Sequence, residues 1–170
     1  PGAAVARIRE VLGSDVIAML APGAAANING FPLRSTHEKA EAAGKKLGDA
    51  VLEAMKSADG IQAETFKVTF AQSELPSYAP RDLEKWKGWM AEARAENNDH
   101  AVRQLERLKE YIDSGEELPK RRFDAYALML GDEWILVTMP HEMFCQYELW
   151  IDEAAPFKRT MTFAYTNGGE

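Results

Sequence analysis

The spacing of apolar residues divides the first sixty positions into helix, strand and helix. Residues 3–12 (AAVARIREVL) predict a short amphipathic helix that ends at Gly13. Residues 15–21 (DVIAMLA) form a continuous apolar run between turn-prone pairs, which is typical of a buried strand. Small and turn-prone residues then fill positions 22–32 (PGAAANINGFP), where backbone can approach backbone or a ligand closely.

The next pair of elements is a helix and a half-exposed strand. Ser35 and Glu38 are spaced as a capping box, and the helix they begin is expected to end at Asp59-Gly60. The apolar stripe that we expect to pack against a sheet is Ala40, Ala43, Leu47, Val51, Ala54 and Met55. Residues 61–71 (IQAETFKVTFA) alternate with period two and predict a strand with one exposed face.

A helical hairpin is predicted between two strands, at about residues 80–115. Residues 76–80 read as a loop, and residues 82–95 and 99–113 each carry a helical stripe. Glu96-Asn97-Asn98 separates the two helices, so we expect them to be antiparallel. Two tryptophans, Trp86 and Trp89, are expected to pin this insertion to the rest of the molecule as packing residues.

The last third of the chain predicts a β-hairpin, a helix and a final strand. Residues 121–130 and 133–139 flank Gly131-Asp132, a tight hairpin signal. A helix is predicted over 142–154 and a strand over 160–165. The helix is expected to turn Met143, Tyr147, Trp150, Ile151 and Ala154 inward. The whole order predicts an α/β fold: a mixed sheet flanked by helices, with the helical hairpin as an insertion in one segment spanning 1–170.

Composition narrows the class of protein. The chain has 170 residues, a net charge of −7 and no Lys/Arg-rich block, so we expect no nucleic-acid partner. Its one cysteine excludes an intrachain disulfide. No apolar run approaches the roughly 20 residues that span a bilayer. Pro1 at the start and Glu170 directly after an Asn-Gly-Gly run indicate a piece of a longer protein, so the sequence leaves the compartment open.

The strongest candidate for chemistry is His141-Glu142, placed where an apolar strand ends. Ligands gather at the carboxyl ends of strands in open α/β sheets. The alternative is structural, because a glutamate in the first turn of a helix is favoured by the helix dipole. The zincin pattern H-E-x-x-H is not met, since Cys145 stands at the second histidine position. Adjacent residues on a helix point about 100° apart, so any metal here needs ligands from elsewhere.

The remaining reactive residues favour structural interpretations. His37 lies in the first turn of a helix, His100 is expected on the surface, and Cys145 among apolar neighbours is expected in the core. No G-x-S-x-G, P-loop or dinucleotide fingerprint is present.

Several short blocks resemble neutral/alkaline, non-lysosomal ceramidase-like proteins. DVIAMLAPGAAANING is similar to that family's apolar strand followed by G-A-A-G-D-x-N-P. GDEWILVTMPHEMF is similar to its strand followed by P-G-E-x-F, and TFAYTNGGE to the segment that leads into a tyrosine-bearing G-Y-x-x-T stretch. The order of elements between these blocks also matches, so the resemblance spans essentially the whole chain as the later part of a catalytic domain.

This resemblance implies a zinc-dependent amide hydrolase that splits ceramide, with zinc held by two histidines, a glutamate and a tyrosine and a metal-activated water attacking the amide. The family's glutamate ligand carries over to Glu142, and His141 is a candidate outer-sphere residue. Gly23 and Asn27 become candidate substrate-binding residues. An amide or lipid substrate and a secreted or periplasmic location are likewise implied.

The departures from the family pattern are specific. The two histidine ligands and the active-site serine would precede Pro1, and the tyrosine ligand would follow Glu170; Tyr165 is not its equivalent. His141 replaces the usual glycine, and Ala26, Asn27 and Gly30 replace Gly, Asp and Pro. Catalytic zinc needs about three protein ligands, so we expect this segment to be inactive without the remainder of its own polypeptide. The alternative function is a non-catalytic binding module that uses the Trp-bearing hairpin as a contact surface.

Overall fold

The computed structural model describes residues 1–30, 35–61, 63–77 and 82–168. The elements are α1 (Gly2–Leu12), α2 (His37–Met55), β1 (Phe66–Leu75), α3 (Leu83–Ala95), α4 (Asp99–Ser114), β2 (Arg121–Leu130), β3 (Trp134–Thr138), α5 (Cys145–Ala154) and β4 (Arg159–Phe163). The four strands form one mixed sheet in the order β1-β2-β3-β4, which confirms the predicted α/β class. The predicted turn residues 31–32, strand residue 62, loop residues 78–80 and the last two residues lie outside the described ranges.

The centre of the sheet is a hairpin followed by a crossover. β2 and β3 pair antiparallel, with Leu130 opposite Trp134, so three residues close the turn that Gly131 begins at φ 56°. β3 and β4 pair parallel, with Thr138 opposite Phe163, and α5 makes the connection between them. Parallel strands need such a crossover, and it brings the carboxyl ends of β3 and β4 to the same edge of the sheet.

The predicted buried strand at 15–21 is not formed. The segment has no regular secondary structure, and Ile17 and Met19 are 82% and 89% exposed. A continuous apolar run fixes neither a strand nor its burial, because both require a neighbouring strand to pair with. Just after the run, the backbone N–H of Ala164, one residue beyond β4, donates to Pro22 O at 3.0 Å.

Helix α5 begins three residues later than predicted. Its N-cap is Phe144, so Glu142 precedes the helix and the acidic residue of the first turn is Glu148. Of the residues expected to face inward, Met143 is buried, but Tyr147 and Trp150 are exposed and their rings meet edge-on at 5.4 Å. The left-handed backbone of His141, φ 63°, keeps that residue itself out of a right-handed helix.

Helices α1 and α2 contact each other through glycines rather than through the predicted apolar stripe. A Cβ on Gly44 would lie 2.7 Å from Ala3 Cβ, and one on Gly48 would lie 2.8 Å from Arg7 Cβ. Leu47, Val51 and Met55 of the stripe are exposed instead. The cap also differs by one residue, since Thr36 accepts the bond from the Lys39 backbone N–H where Ser35 was expected.

Strand β1 begins five residues later than predicted and ends four residues later. Thr65 lies directly before the strand, and its O accepts a bond from the Gly131 backbone N–H at 2.8 Å. Every residue of β1 is exposed, including the face of Phe66, Val68 and Phe70 that the alternation predicted to be buried.

The chain forms two compact units, residues 1–71 with 124–170, and residues 72–123. The second unit contains α3 and α4. Asp82 caps the start of α3, Asn98 caps the start of α4, and Gly115 in the left-handed conformation ends α4. Trp86 donates its indole N–H to Leu105 O at 2.8 Å, so this tryptophan joins the two helices of the hairpin. Within the described ranges, no helix is both long and apolar enough to cross a membrane.

Candidate functional site

Two loops lie side by side where β3 and β4 end. We call residues 139–142 and 164–168 the paired loops. Met139 N–H donates to Phe163 O at 2.8 Å and extends the parallel ladder by one bond. Tyr165 N–H then donates to His141 O at 3.1 Å, and His141 N–H donates to Gly168 O at 2.9 Å. These reciprocal backbone bonds fix the position of each loop against the other.

A side chain adds to the backbone bonds between these loops. The Thr166 hydroxyl and the Thr166 backbone N–H both donate to Met139 O, at 2.9 and 3.1 Å. Met139 itself is buried, as is Ala164 at the start of the second loop. The base of the paired loops is therefore packed and doubly bonded, although Glu142 and Tyr165 further along them are exposed.

Three residues of the paired loops have left-handed backbone conformations. His141, Tyr165 and Asn167 have φ of 63°, 58° and 55°. Residues other than glycine are uncommon in this region, and Asn and His are enriched among those that adopt it. Such conformations persist where the surrounding bonds determine them, and they concentrate at functional sites.

The paired loops bring Glu142 and Tyr165 together. The Tyr165 hydroxyl donates to Glu142 Oε1 at 2.9 Å. Both side chains are exposed, Tyr165 by 44%. The hydrogen bond to the carboxylate, with smaller effects of burial and of the negative charge, raises the pKa of Tyr165 above its ordinary value of 10.0. The phenol is therefore a neutral donor at neutral pH, and within the described ranges Glu142 Oε2 accepts no hydrogen bond.

The segment 22–27 lies against the start of α5, next to the first of the paired loops. Ala26 N–H donates to Met143 O at 2.9 Å. Asn27 uses both atoms of its amide, accepting from the Cys145 backbone N–H at 2.9 Å and donating to Gln146 Oε1 at 3.0 Å. Asn27 thus satisfies one of the free N–H groups at the N-terminus of α5 from a distant part of the chain.

Gly23 occupies a position where a side chain would be crowded. A Cβ there would lie 3.1 Å from Glu148 Oε2 and 3.6 Å from Thr162 O. The adjacent Ala24 N–H donates to the same carboxylate oxygen at 3.4 Å. The absence of a side chain at Gly23 thus permits this close approach, and the predicted contact of Gly23 and Asn27 with substrate stays a prediction.

The side chains of the described residues are not gathered into a metal centre. No group of three or more His, Cys, Asp or Glu side chains in these ranges is placed to hold a metal ion. The predicted role of Glu142 as a ligand stays a prediction, and the structure shows one of its carboxylate oxygens accepting a bond from the Tyr165 hydroxyl. Outer hydrogen bonds of this kind are typical of carboxylates that bind metals. His141 is half-buried in the same loop, and its part in such a centre stays a prediction.

The other reactive residues lie elsewhere. His37 is the first residue of α2, beside the capping Thr36, and His100 is exposed in the first turn of α4. Cys145, expected in the core, is only half-buried at the start of α5, with its thiol 3.6 Å from Gln146 Oε1.

Sequence reasoning missed Tyr165 as a partner of Glu142. The two residues are 23 positions apart, and only the parallel pairing of β3 with β4 brings them together. The sequence did indicate that Glu142 and Tyr165 each lie near the carboxyl end of a predicted strand. The carboxyl ends of two strands meet at one edge of the sheet if the strands are parallel neighbours.

Comparison of the chain with protein-family models, with curated proteins and with solved structures gave no match.

Proposed function

We propose that this chain is the later part of a zinc-dependent amide hydrolase resembling neutral ceramidase, in which Glu142 is one zinc ligand. The observation that carries the proposal is the Glu142 carboxylate at the carboxyl edge of a parallel strand pair, oriented by the Tyr165 phenol at 2.9 Å. The structural alternative for Glu142, a charge in the first turn of a helix, loses its basis because α5 begins only at Cys145.

The backbone of His141 supports the resemblance independently of the sequence match. This residue stands where the family motif P-G-E has glycine, and its φ is 63°. Glycine adopts this conformation without the steric penalty that a Cβ brings. A left-handed turn directly before the glutamate is therefore what the family's glycine would favour, and histidine is among the residues that tolerate it.

The contact between the two resembling blocks is a second support. The segment similar to G-A-A-G-D-x-N-P and the segment similar to P-G-E-x-F are joined by Ala26 and Asn27, which bond Met143 and Cys145. Asn27 stands at the family's Asp position, and either residue offers an oxygen to the free N–H groups at the start of α5. The two blocks are thus joined at Met143 and Cys145, which follow Glu142 in the chain.

In this proposal the chain's own residues hold and orient a ligand. Glu142 offers Oε2 to the metal while Tyr165 bonds Oε1, and the paired loops fix the directions of both side chains. Bound zinc would polarise the amide carbonyl and lower the pKa of a bound water. The histidine and tyrosine ligands come from the remainder of the polypeptide, and the substrate is an N-acyl amide, with a lipid amide such as ceramide as the first candidate.

The test is the zinc content of the complete polypeptide with Glu142→Gln. Loss of an outer-sphere group weakens metal binding about 10–100-fold, so loss of a ligand is expected to weaken it more than about 100-fold and to abolish hydrolysis of an N-acyl amide. Elemental analysis after dialysis measures the metal. Glu153→Gln on the exposed side of α5 is the matched control and should retain zinc. Full zinc content in Glu142→Gln would remove Glu142 from the centre.

A second candidate function is binding through the helical hairpin. Between α3 and α4 lies a surface depression of about 380 Å³ whose lining includes Trp89, Ala93, Leu105 and Leu108. Trp89 is 42% exposed there, and tryptophans are frequent anchors of protein contacts. If the chain is a binding module, the complete polypeptide should contain no stoichiometric zinc. Its capture of a partner should be abolished by Trp89→Ala.

A further inference from the structure

We infer that the groove between α3 and α4 binds a basic amphipathic helix of a protein partner. The surface depression of about 380 Å³ between these helices is called the hairpin groove. Its lining includes apolar and acidic side chains: Trp89, Glu92, Ala93, Glu96, Leu105 and Leu108. The inference rests on the second candidate function, binding through the helical hairpin, and names the chemistry of the partner. It does not depend on a zinc centre.

The two tryptophans of α3 differ in what they contact. Trp86 is half-buried, its indole N–H donates to Leu105 O at 2.8 Å, and Lys109 Nζ lies 5.6 Å from its ring centroid. Trp89 is 42% exposed, and among the described residues its indole N–H has no hydrogen-bond partner. Exposed tryptophans at a groove are frequent anchors of protein contacts. Trp89 is therefore the apolar contact point that the hairpin offers to a partner.

The hairpin groove also carries two carboxylates. Glu92 and Glu96 lie one turn apart on α3, and neither forms an ion pair within the described ranges, whereas Glu84 pairs with Lys87 at 2.8 Å. Like charges four positions apart on a helix repel and destabilise it. No Lys or Arg among the described residues lines the groove, so a cation that relieves this repulsion has to come from a partner.

The apolar and acidic groups lie at different ends of the groove. The helices are joined by a short turn and bonded from Trp86 to Leu105, so they run antiparallel, and Leu108 lies toward the Trp89 end. Trp89 and Glu96 are seven positions apart, which is about 10 Å along α3. A helix with an apolar side chain and a Lys or Arg two turns apart on one face matches both ends.

The exposure of the groove and the charge of the chain decide between the candidate occupants. Small-molecule sites bury most of their ligand, whereas Ala93 is the one buried residue among the six lining residues named above. A helix that lies along two other helices needs no such enclosure. A second copy of this chain, with a net charge of −7, would bring more negative charge to Glu92 and Glu96. The groove therefore fits a basic helix better than either alternative.

The test measures binding of a fluorescent peptide to the complete polypeptide by anisotropy. The probe is a helix-forming peptide of about 18 residues, made of Leu, Ala and Lys, with Leu and Lys two turns apart on one face. A second peptide with Glu in place of Lys is the charge control. We expect saturable binding of the Lys peptide that weakens as salt is added, and binding of the Glu peptide that is weaker by about tenfold or more.

Changes in the groove separate its apolar and charged contributions. Trp89→Ala is expected to weaken binding of the Lys peptide more than about 30-fold, the loss typical of an anchor residue. Glu92→Gln with Glu96→Gln should weaken it about 3–30-fold, as expected for two exposed ion pairs, and should reduce its salt dependence. Glu106→Gln with Glu110→Gln changes the net charge equally at exposed positions of α4 and should leave binding unchanged.

The outcomes distinguish the chemistry of the partner from the binding surface itself. Binding of the Glu peptide as tightly as the Lys peptide, lost in Trp89→Ala, overturns the basic partner and leaves the hairpin as a binding surface. Binding that Trp89→Ala does not change overturns both. Equal losses from the groove pair and the α4 pair of glutamates would show general charge attraction and overturn the basic partner.

Two further measurements complete the test. Should Trp89→Ala fail to fold, Glu92→Lys with Glu96→Lys is the replacement, since it should reverse the preference toward the Glu peptide, and an unreversed preference overturns the inference. Sedimentation tests the second-copy alternative: self-association that Trp89→Ala removes, without binding of the Lys peptide, overturns the basic partner. Glu142→Gln should bind the Lys peptide as the wild type does, so a failure of the zinc proposal leaves this result unchanged.

Discussion

Individual residues of the paired loops combine an open carboxylate with unusual backbone conformations. Glu142, His141 and Tyr165 lie within two short loops, and two of the three have positive φ. The loops follow neighbouring parallel strands, which is where an α/β sheet places its ligands. The Tyr165 hydroxyl bonds the Glu142 carboxylate, and this carboxylate raises the pKa of Tyr165.

The pKa of Tyr165 gives a prediction about pH. The bond to the Glu142 carboxylate stabilises the neutral phenol, so Tyr165 should ionise above the ordinary value near 10. Since the folded-state pKa is raised, the bond's contribution to stability is full below about pH 10 and is lost as pH rises through the folded-state value. Absorbance near 295 nm, taken as the difference between the wild type and Tyr165→Phe, measures this titration.

The control for that titration is Glu142→Gln. The new side chain carries no charge, so the pKa of Tyr165 should fall back toward its ordinary value in this variant. Glu153→Gln removes a charge from an exposed position of α5 and should leave the titration as it is in the wild type. A tyrosine that titrates at its ordinary value in the wild type would contradict the hydrogen bond.

At the scale of elements, the α1–α2 pair depends on the absence of side chains. Gly44 and Gly48 lie about one turn apart on α2, and a Cβ on either would meet α1 within 3 Å. Arg7 of α1 also forms an ion pair with Asp49 of α2 at 2.6 Å. The hydrogen bonds of Arg7 to Asp49 and Glu10, together with the charges of both carboxylates, raise its pKa. The ion pair is largely exposed, so close backbone contact is the larger contribution to this packing.

Gly48→Ala is therefore expected to destabilise the protein although alanine favours helices. The new Cβ would lie 2.8 Å from Arg7 Cβ and 2.9 Å from Ala4 O, and overpacking of this kind typically costs about 1–3 kcal/mol. Gly88→Ala in α3 is the matched control, because a Cβ there meets nothing within 4 Å. It should gain about 1 kcal/mol from helix propensity. Urea unfolding of both variants measures the contrast, and equal effects would contradict the packing.

On the scale of the whole molecule, many large apolar side chains are exposed. The most exposed are Ile17 and Met19, in the segment predicted as a buried strand. Leu149 and Trp150 on α5 and Phe66 on β1 are also more than half exposed. Exposed apolar side chains of this size favour association where several lie together.

Ile17→Lys with Met19→Lys is expected to reduce association of the 170-residue chain without lowering its melting temperature. Side chains that are 82% and 89% exposed contribute little burial, so their replacement costs little stability. Sedimentation and binding of an apolar dye measure the change. Glu106→Gln with Glu110→Gln on exposed positions of α4 changes the net charge equally and controls for it. A large drop in melting temperature would show that the segment is packed after all.

Local sequence was sufficient to predict the hairpin helices and the β2–β3 turn. Helices α3 and α4 begin within a residue of their predicted starts because Asp82 and Asn98 cap them, and Gly115 ends α4. Gly131 sets the turn between β2 and β3 in the same way. Caps and tight turns depend on a few neighbouring residues, and those residues can be read directly from the chain.

Tertiary structure alone decided burial and the composition of the candidate site. The run at 15–21 is apolar enough for a core strand, but burial needs a partner that local pattern does not specify. Asn27 meets Cys145 across 118 positions, and Tyr165 meets Glu142 only because β3 and β4 pair parallel. Periodicity determines which residues form an element, whereas strand order determines which distant side chains come within hydrogen-bonding distance.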